Sequence, residues 1–208
     1  MSSDWITPEK FNENLVSVSL SPREGGNIER YSVLYQYHPN SEPSNLLITV
    51  PLNTNAYLSC KGIRKETFNN GIRIIETNRY AAHFFINHNN KFHKALFDLF
   101  VKLKKKLDAI TDGEVQVPFA IHPDKIKCTI YSNLIHSNDG KMYSRAYTHD
   151  KQSVDILSVK SCIARPLFLV SLNKNSDNKM KLKLQVSELM VHENIQQPET
   201  SFALAYID

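Results

Sequence analysis

The stretch "YAAHFFINHNNKFHKALFDLFVKLKKKLDAI", residues 80–110, decides the fold, because two periodicities meet inside it. Residues 80–86 read as an extended strand. From Lys91 onward Phe92, Leu96, Leu99, Phe100, Leu103, Leu107 and Ile110 recur at steps of three and four, the spacing of one helical face. Asn89 or Asn90 is placed to cap that helix, predicted over 91–110. Its apolar stripe belongs in a core. Lys102, Lys104, Lys105 and Lys106 run toward its C-terminal end, where they complement the helix dipole.

Nearly everything else reads as strand. Strands are predicted at 15–20, 30–37, 45–51 and 71–77 before the helix, and at 115–121, 125–136, 141–149, 161–172 and 179–191 after it. Thr7 and Pro8 open a short N-terminal helix over 7–14. In "KMKLKLQV", residues 179–186, Lys179, Lys181, Lys183 and Gln185 alternate strictly with Met180, Leu182, Leu184 and Val186, so one side faces water and the other a core. "CIARPLFLVSL", residues 162–172, is apolar on both sides and reads as a central strand in which Pro166 needs a bulge or a sheet margin. The predicted class is α+β and mostly β: an antiparallel OB-like barrel or curved sheet, with one long amphipathic helix and the short N-terminal one.

A chain of 208 residues, 41% hydrophobic and 22% charged, suits one soluble domain. No run of about 18 apolar residues and no signal-peptide pattern occurs, which predicts a protein without membrane spans. Cys60, Cys128 and Cys162 are odd in number and widely spaced, which points to a reducing, cytoplasmic compartment and against a structural zinc site. Charge is unevenly spread: residues 1–60 carry a net −3, 61–183 a net +11 and 184–208 a net −4. Within the single domain 1–208 this divides the chain into acidic N-terminal strands (1–60), a basic OB-like core (61–191) and a C-terminal tail (192–208). A basic centre is the footprint of a chain that meets a polyanion.

The loop "SNDGK" between strands 125–136 and 141–149 offers a two-residue Asp139-Gly140 turn or a three-residue Asn138-Asp139-Gly140 loop with Gly140 left-handed. Only the three-residue loop keeps Ile126, Cys128, Ile130 and Leu134 together with Met142 and Ala146 on one apolar face. It sets Ile135 opposite Tyr143, Asn133 opposite Arg145, and Tyr131 opposite Tyr147. The other face then gathers Lys125, Lys127, Tyr131, Asn133, Lys141, Tyr143, Arg145 and Tyr147. Tyr rings stack on unpaired bases while Lys and Arg track phosphates, so this face reads as a binder of single strands. Lys61, Arg64, Lys65, Arg73, Lys181 and Lys183 are the further cations expected to contribute.

Catalysis and cofactors are not expected. His83, His88 and His93 are spaced by five, which alternates faces on a strand and is awkward on a helix, so they read as ordinary loop and surface histidines rather than metal ligands. No H-E-x-x-H, G-x-S-x-G, P-loop or G-x-G-x-x-G sequence is present.

The order of "YAAHFFIN", "KFHKALFDLFVKLKKKL", "IKCTIYSN", "GKMYSRAYT" and "CIARPLFLVSLNKNSDNKMKLKLQVSELMV" resembles that of the replication single-stranded DNA-binding proteins of large cytoplasmic DNA viruses, poxviruses among them, and of related cytoplasmic linear elements. It spans roughly residues 71–191. The resemblance implies a non-catalytic replication protein in host cytoplasm or a viral replication site, with single-stranded DNA, replication proteins and copies of itself as partners. The residues by themselves leave DNA and RNA equally open. An interaction or virion module that docks a protein, and a nuclease with a dispersed site, are the alternatives.

Overall fold

The structure is a computed structural model that describes residues 4–21, 29–50, 54–59, 62–68, 71–77, 80–124, 126–137, 141–159, 161–174 and 177–194, those between 54 and 77 by their backbone ladders. Before the helix run β1 (Val16–Leu20), β2 (Glu29–Tyr35), β3 (Ser44–Asn45), β4 (Leu47–Thr49), β5 (Thr54–Ser59), β6 (Gly62–Phe68), β7 (Gly71–Thr77) and β8 (Ala81–Asn87). After α1 (Lys91–Thr111) come β9 (Val115–Gln116), β10 (Phe119–Ile121), β11 (Lys127–Leu134), β12 (Arg145–Thr148), β13 (Ser153–Val154), β14 (Ser161–Lys174) and β15 (Met180–Asn194).

Five of these strands close a ring. β5 pairs antiparallel with β8, β8 antiparallel with β11, β11 parallel with β15, β15 antiparallel with β14, and β14 antiparallel with β5. β4 precedes β5 along the same neighbour, pairing with β14 at residues 167–169. The OB-like closure expected is antiparallel throughout except where β11 meets β15, and the helix lies between the second and third ring strands. β1 and β2 extend the sheet beyond β14, while β6 and β7 form a separate two-stranded ladder.

Alternation explains what lies inside. Cys128, Ile130 and Leu134 of β11, Leu182, Leu184 and Val186 of β15, and Phe168, Val170 and Leu172 of β14 are buried. Phe84 meets Phe168 edge-on across the ring, with centroids 5.2 Å apart. Leu96, Leu99, Phe100, Leu103 and Leu107 of α1 are buried, whereas Ile110 at its end is 40% exposed. Asn90 caps the helix, its side chain accepting from the backbone N–H groups of Phe92 and His93. Lys104 pairs with Asp108 one turn on, at 2.8 Å.

Three predicted elements are corrected and two strands are added. The N-terminal helix is two separate 3-10 turns, Pro8–Lys10 and Glu13–Leu15, because Phe11 and Asn12 between them are extended. The strand at 45–51 divides at Leu46, whose N–H bonds β2 while its carbonyl accepts from Val170 of β14. The strand at 115–121 divides before Pro118, which has no N–H for a ladder, and its halves join β15 and β11 separately. β5 (Thr54–Ser59) and β6 (Gly62–Phe68) lie where no strand was predicted. Pro166 sits where expected: register shifts flank it at Ile163/Ala164 and Leu167/Phe168.

Candidate nucleic-acid interface

The outward side of β8 and β11 carries the aromatic part of the surface. Register sets Tyr131 opposite His83, and their rings meet edge-on with centroids 4.9 Å apart. Phe85, two residues further along the same side of β8, is 44% exposed, and Tyr131 is 43% exposed. Burial pushes the His83 imidazole below the usual histidine range, so it is neutral at pH 7 and adds a flat, uncharged ring. Lys127 stands opposite Asn87 at the end of this row and is exposed. Its backbone N–H and that of Ile126 donate to the Asp124 carboxylate. These bonds hold Asp124 below its ordinary range. Two exposed rings, a neutral imidazole and an ammonium thus share one side of two paired strands, an arrangement that can stack flat aromatic ligands and neutralise anionic ones.

The predicted hairpin is corrected. The three-residue-loop register holds only near the turn: Ser137 donates to the Lys141 carbonyl at 2.9 Å and Tyr143 to the Ile135 carbonyl at 2.8 Å. There the ladder ends. The buried Ser144 places its hydroxyl where the next rung would be, accepting from Ile135 N–H and donating to the Val186 carbonyl. The chain then joins β15 as the parallel strand β12, with Arg145 opposite Glu188 and Tyr147 opposite Met190. Tyr131 therefore faces His83 and not Tyr147, and Asn133 faces Ala81 and Gln185 and not Arg145. β12 takes up the edge of β15 that β11 leaves, so the set is drawn out rather than gathered. Counted along the strands, Lys127, Tyr131, Asn133, Arg145 and Tyr147 lie on a line of roughly 35 Å. Ile126, expected inside, is 40% exposed.

Of the remaining expected residues, Lys141, Tyr143 and Arg145 are exposed and Tyr147 is half-buried. The Lys141 ammonium lies 5.9 Å from the Tyr143 ring centre. Lys181 is exposed and Lys183 half-buried on the outward side of β15. Arg64 and Lys65 belong to β6 and Arg73 to β7. Lys61, Lys125, Asn138 to Gly140, Cys60 and the tail beyond Asn194 lie outside the described residues. His83 and Phe85 were not expected here, although alternation in "AAHFFIN" puts them, with Asn87, on one side of a strand.

His93 is also corrected: it is buried against β8, its Nδ1 accepting from Asn87 N–H at 3.0 Å, rather than lying on the surface. Among the described residues no three His, Cys, Asp or Glu side chains gather as metal ligands would. Cys128 and Cys162 are buried; burial raises both thiols, that of Cys162 to about 11. No described helix is long and apolar enough to cross a membrane.

No family model matches the chain, and no curated protein sequence matches it. Among solved structures it is similar to gp2.5, a single-stranded DNA-binding protein encoded by bacteriophage T7, with a TM-score of 0.54 over 76% of this chain and 92% of that one. At 13% identity, the likeness is one of fold.

Proposed function

We propose that this chain binds single-stranded DNA without sequence preference and acts in replication by coating and protecting exposed strands. The observation that carries the reading is the outward side of β8 and β11, where Tyr131, His83 and Phe85 offer ring surfaces beside Lys127. Unpaired bases stack on such rings, and duplex DNA hides the base faces that would do so. The fold shared with gp2.5, a single-stranded DNA-binding protein, supports the same reading, as does the resemblance in element order to the replication proteins of large cytoplasmic DNA viruses. In this role the protein works without catalysis, in the host cytoplasm or at a viral replication site, with other replication proteins and copies of itself as neighbours.

A fluorescence titration with a labelled oligonucleotide at two salt concentrations tests the proposal. Tight, salt-sensitive binding that prefers the single strand over the duplex is the expected result. Equal affinity for both forms would leave only the charge contribution, and absence of binding would favour a protein-docking module. Competition with RNA of the same sequence decides between the two nucleic acids.

A further inference from the structure

A second cleft lies on the same outward surface, across the strands that flank β14. Ser171 stands opposite Lys183 on one neighbour and Ser32 on the other, and Asn173 stands opposite Lys181 and Arg30. The cleft has a volume of about 270 Å³, and Arg30, Ser32, Asn45, Asn173, Lys183 and Gln185 contribute its polar lining. None of the described residues lining it is acidic. Glu29, the acid next to Arg30, accepts from the Tyr31 hydroxyl and lies 3.5 Å from Lys174. These partners, the Tyr31 hydroxyl first, hold Glu29 below the usual carboxylate range. By contrast, the larger cavity at the C-terminal end of α1, about 580 Å³, is lined by Asp112 and Glu114 as well as Lys174 and Lys179, so acids offset its cations.

Gln185 links this cleft to the aromatic row, because it pairs with Asn133, two residues from Tyr131 on the same side of β11. From β11 to β2 the sheet takes three strand-to-strand steps, roughly 14 Å along its surface. Resting on the proposed single-strand binding, the geometry points to this cleft as a second nucleotide subsite, in which Arg30 and Lys183 take phosphate oxygens and the amides of Asn45, Asn173 and Gln185 meet sugar and base edges. The two subsites divide the work. The aromatic row holds a strand by stacking, which salt hardly touches, and the cleft holds the continuation of that strand by charge and hydrogen bonds. It also assigns a role to the acidic N-terminal part of the chain, which contributes β2 and with it Arg30.

The test uses labelled oligothymidylates of about five and about twelve nucleotides, within the span of site sizes for one OB-type barrel. The parent should bind the longer strand more tightly. Arg30→Ala should shrink that length advantage several-fold and make the salt slope on the longer strand shallower by about 0.7. Gln185→Glu, nearly the same shape but anionic, should shrink the advantage too, and normal thermal unfolding of both variants separates lost binding from lost fold. If the parent gains nothing from length, or folded variants keep the gain, the second subsite is wrong while single-strand binding stands. If the parent binds neither strand, the proposed function fails and this inference with it.

Discussion

Residues 127–133, with Lys127 and Tyr131, and residues 141–147, with Lys141, Tyr143, Arg145 and Tyr147, both combine cations with phenol rings, yet the fold treats them differently. The first row lies inside a ladder with strands on both sides, and its exposed residues, Lys127, Tyr131 and Asn133, share one parity, although Thr129 of that parity is buried. The second keeps the expected register for only a few residues before Ser144 diverts it to another neighbour. Alternation is therefore dependable within a ladder, whereas the partner of a strand can be decided by one side chain. A serine hydroxyl both accepts and donates, and so can replace a backbone rung on each of two strands.

The sharpest way to break that comparison is Ser144→Ala. The substitution leaves the Ile135 N–H without its acceptor and removes a donor from the Val186 carbonyl. An unmet amide together with a lost hydrogen bond should lower the unfolding free energy by about 2 to 4 kcal/mol. Urea denaturation measures it. If stability is unchanged, the hydroxyl is not what divides the hairpin.

A second contrast concerns DNA. Tyr131 sits edge-on to His83 with Phe85 nearby, so its ring belongs to a platform, while Tyr147 lies on β12 beside Met190. Tyr131→Ala should weaken single-strand binding by about 1 to 3 kcal/mol with little change in salt slope, since no phosphate contact is lost. Tyr147→Ala should cost clearly less. Thermal unfolding must accompany both, because a ring removed from a cross-strand pair can itself cost up to about 1 kcal/mol of fold stability. A reversed order would mean that the drawn-out end of the line, rather than the row on β8 and β11, is where bases stack.

The same physics explains what could be read from the residues. The helix, an asparagine cap at 89 or 90, the long alternating strand from Met180 and an irregularity at Pro166 were legible, because each is set by local periodicity or by a missing N–H. The ring's closure by β5 was not, since "TNAYLS" is short, largely polar and placed by its partners rather than its own pattern. In the candidate site, the shared outward side of Lys127 and Tyr131 was legible from parity alone. Arg30, proposed for the second subsite, was not, because its neighbours in sequence are net acidic and its neighbours in space, Asn173 and Lys174, are about 140 residues away. His83 and Phe85 could have been found by extending to β8 the alternation applied to β11.

The smallest expected effect is one of pH, and it distinguishes the aromatic row by opposite signs in stability and binding. Burial keeps the folded-state pKa of His83 below the ordinary histidine value of about 6.5. Between that lowered value and 6.5 the unfolded chain binds more protons than the folded one, so stability rises with pH across this window. The contribution is complete above about 6.5 and is lost as acid drives His83 to ionise in the folded state. His93 and His192 are also lowered by burial, His192 additionally by Arg165 and His149, and they act in the same direction. DNA should respond the other way, because a proton on His83 adds a cation beside Tyr131 that a phosphate can meet. Acidification from pH 7.5 to about 6 should therefore loosen the fold slightly while tightening single-strand binding. His83→Phe keeps a ring against Tyr131 but cannot take the proton, so it should make the stability profile shallower by at most one proton's worth and flatten the pH dependence of binding. A variant that flattens the stability profile and leaves the binding profile as steep as the parent's would place the bound strand away from His83, and with it away from the row on β8 and β11.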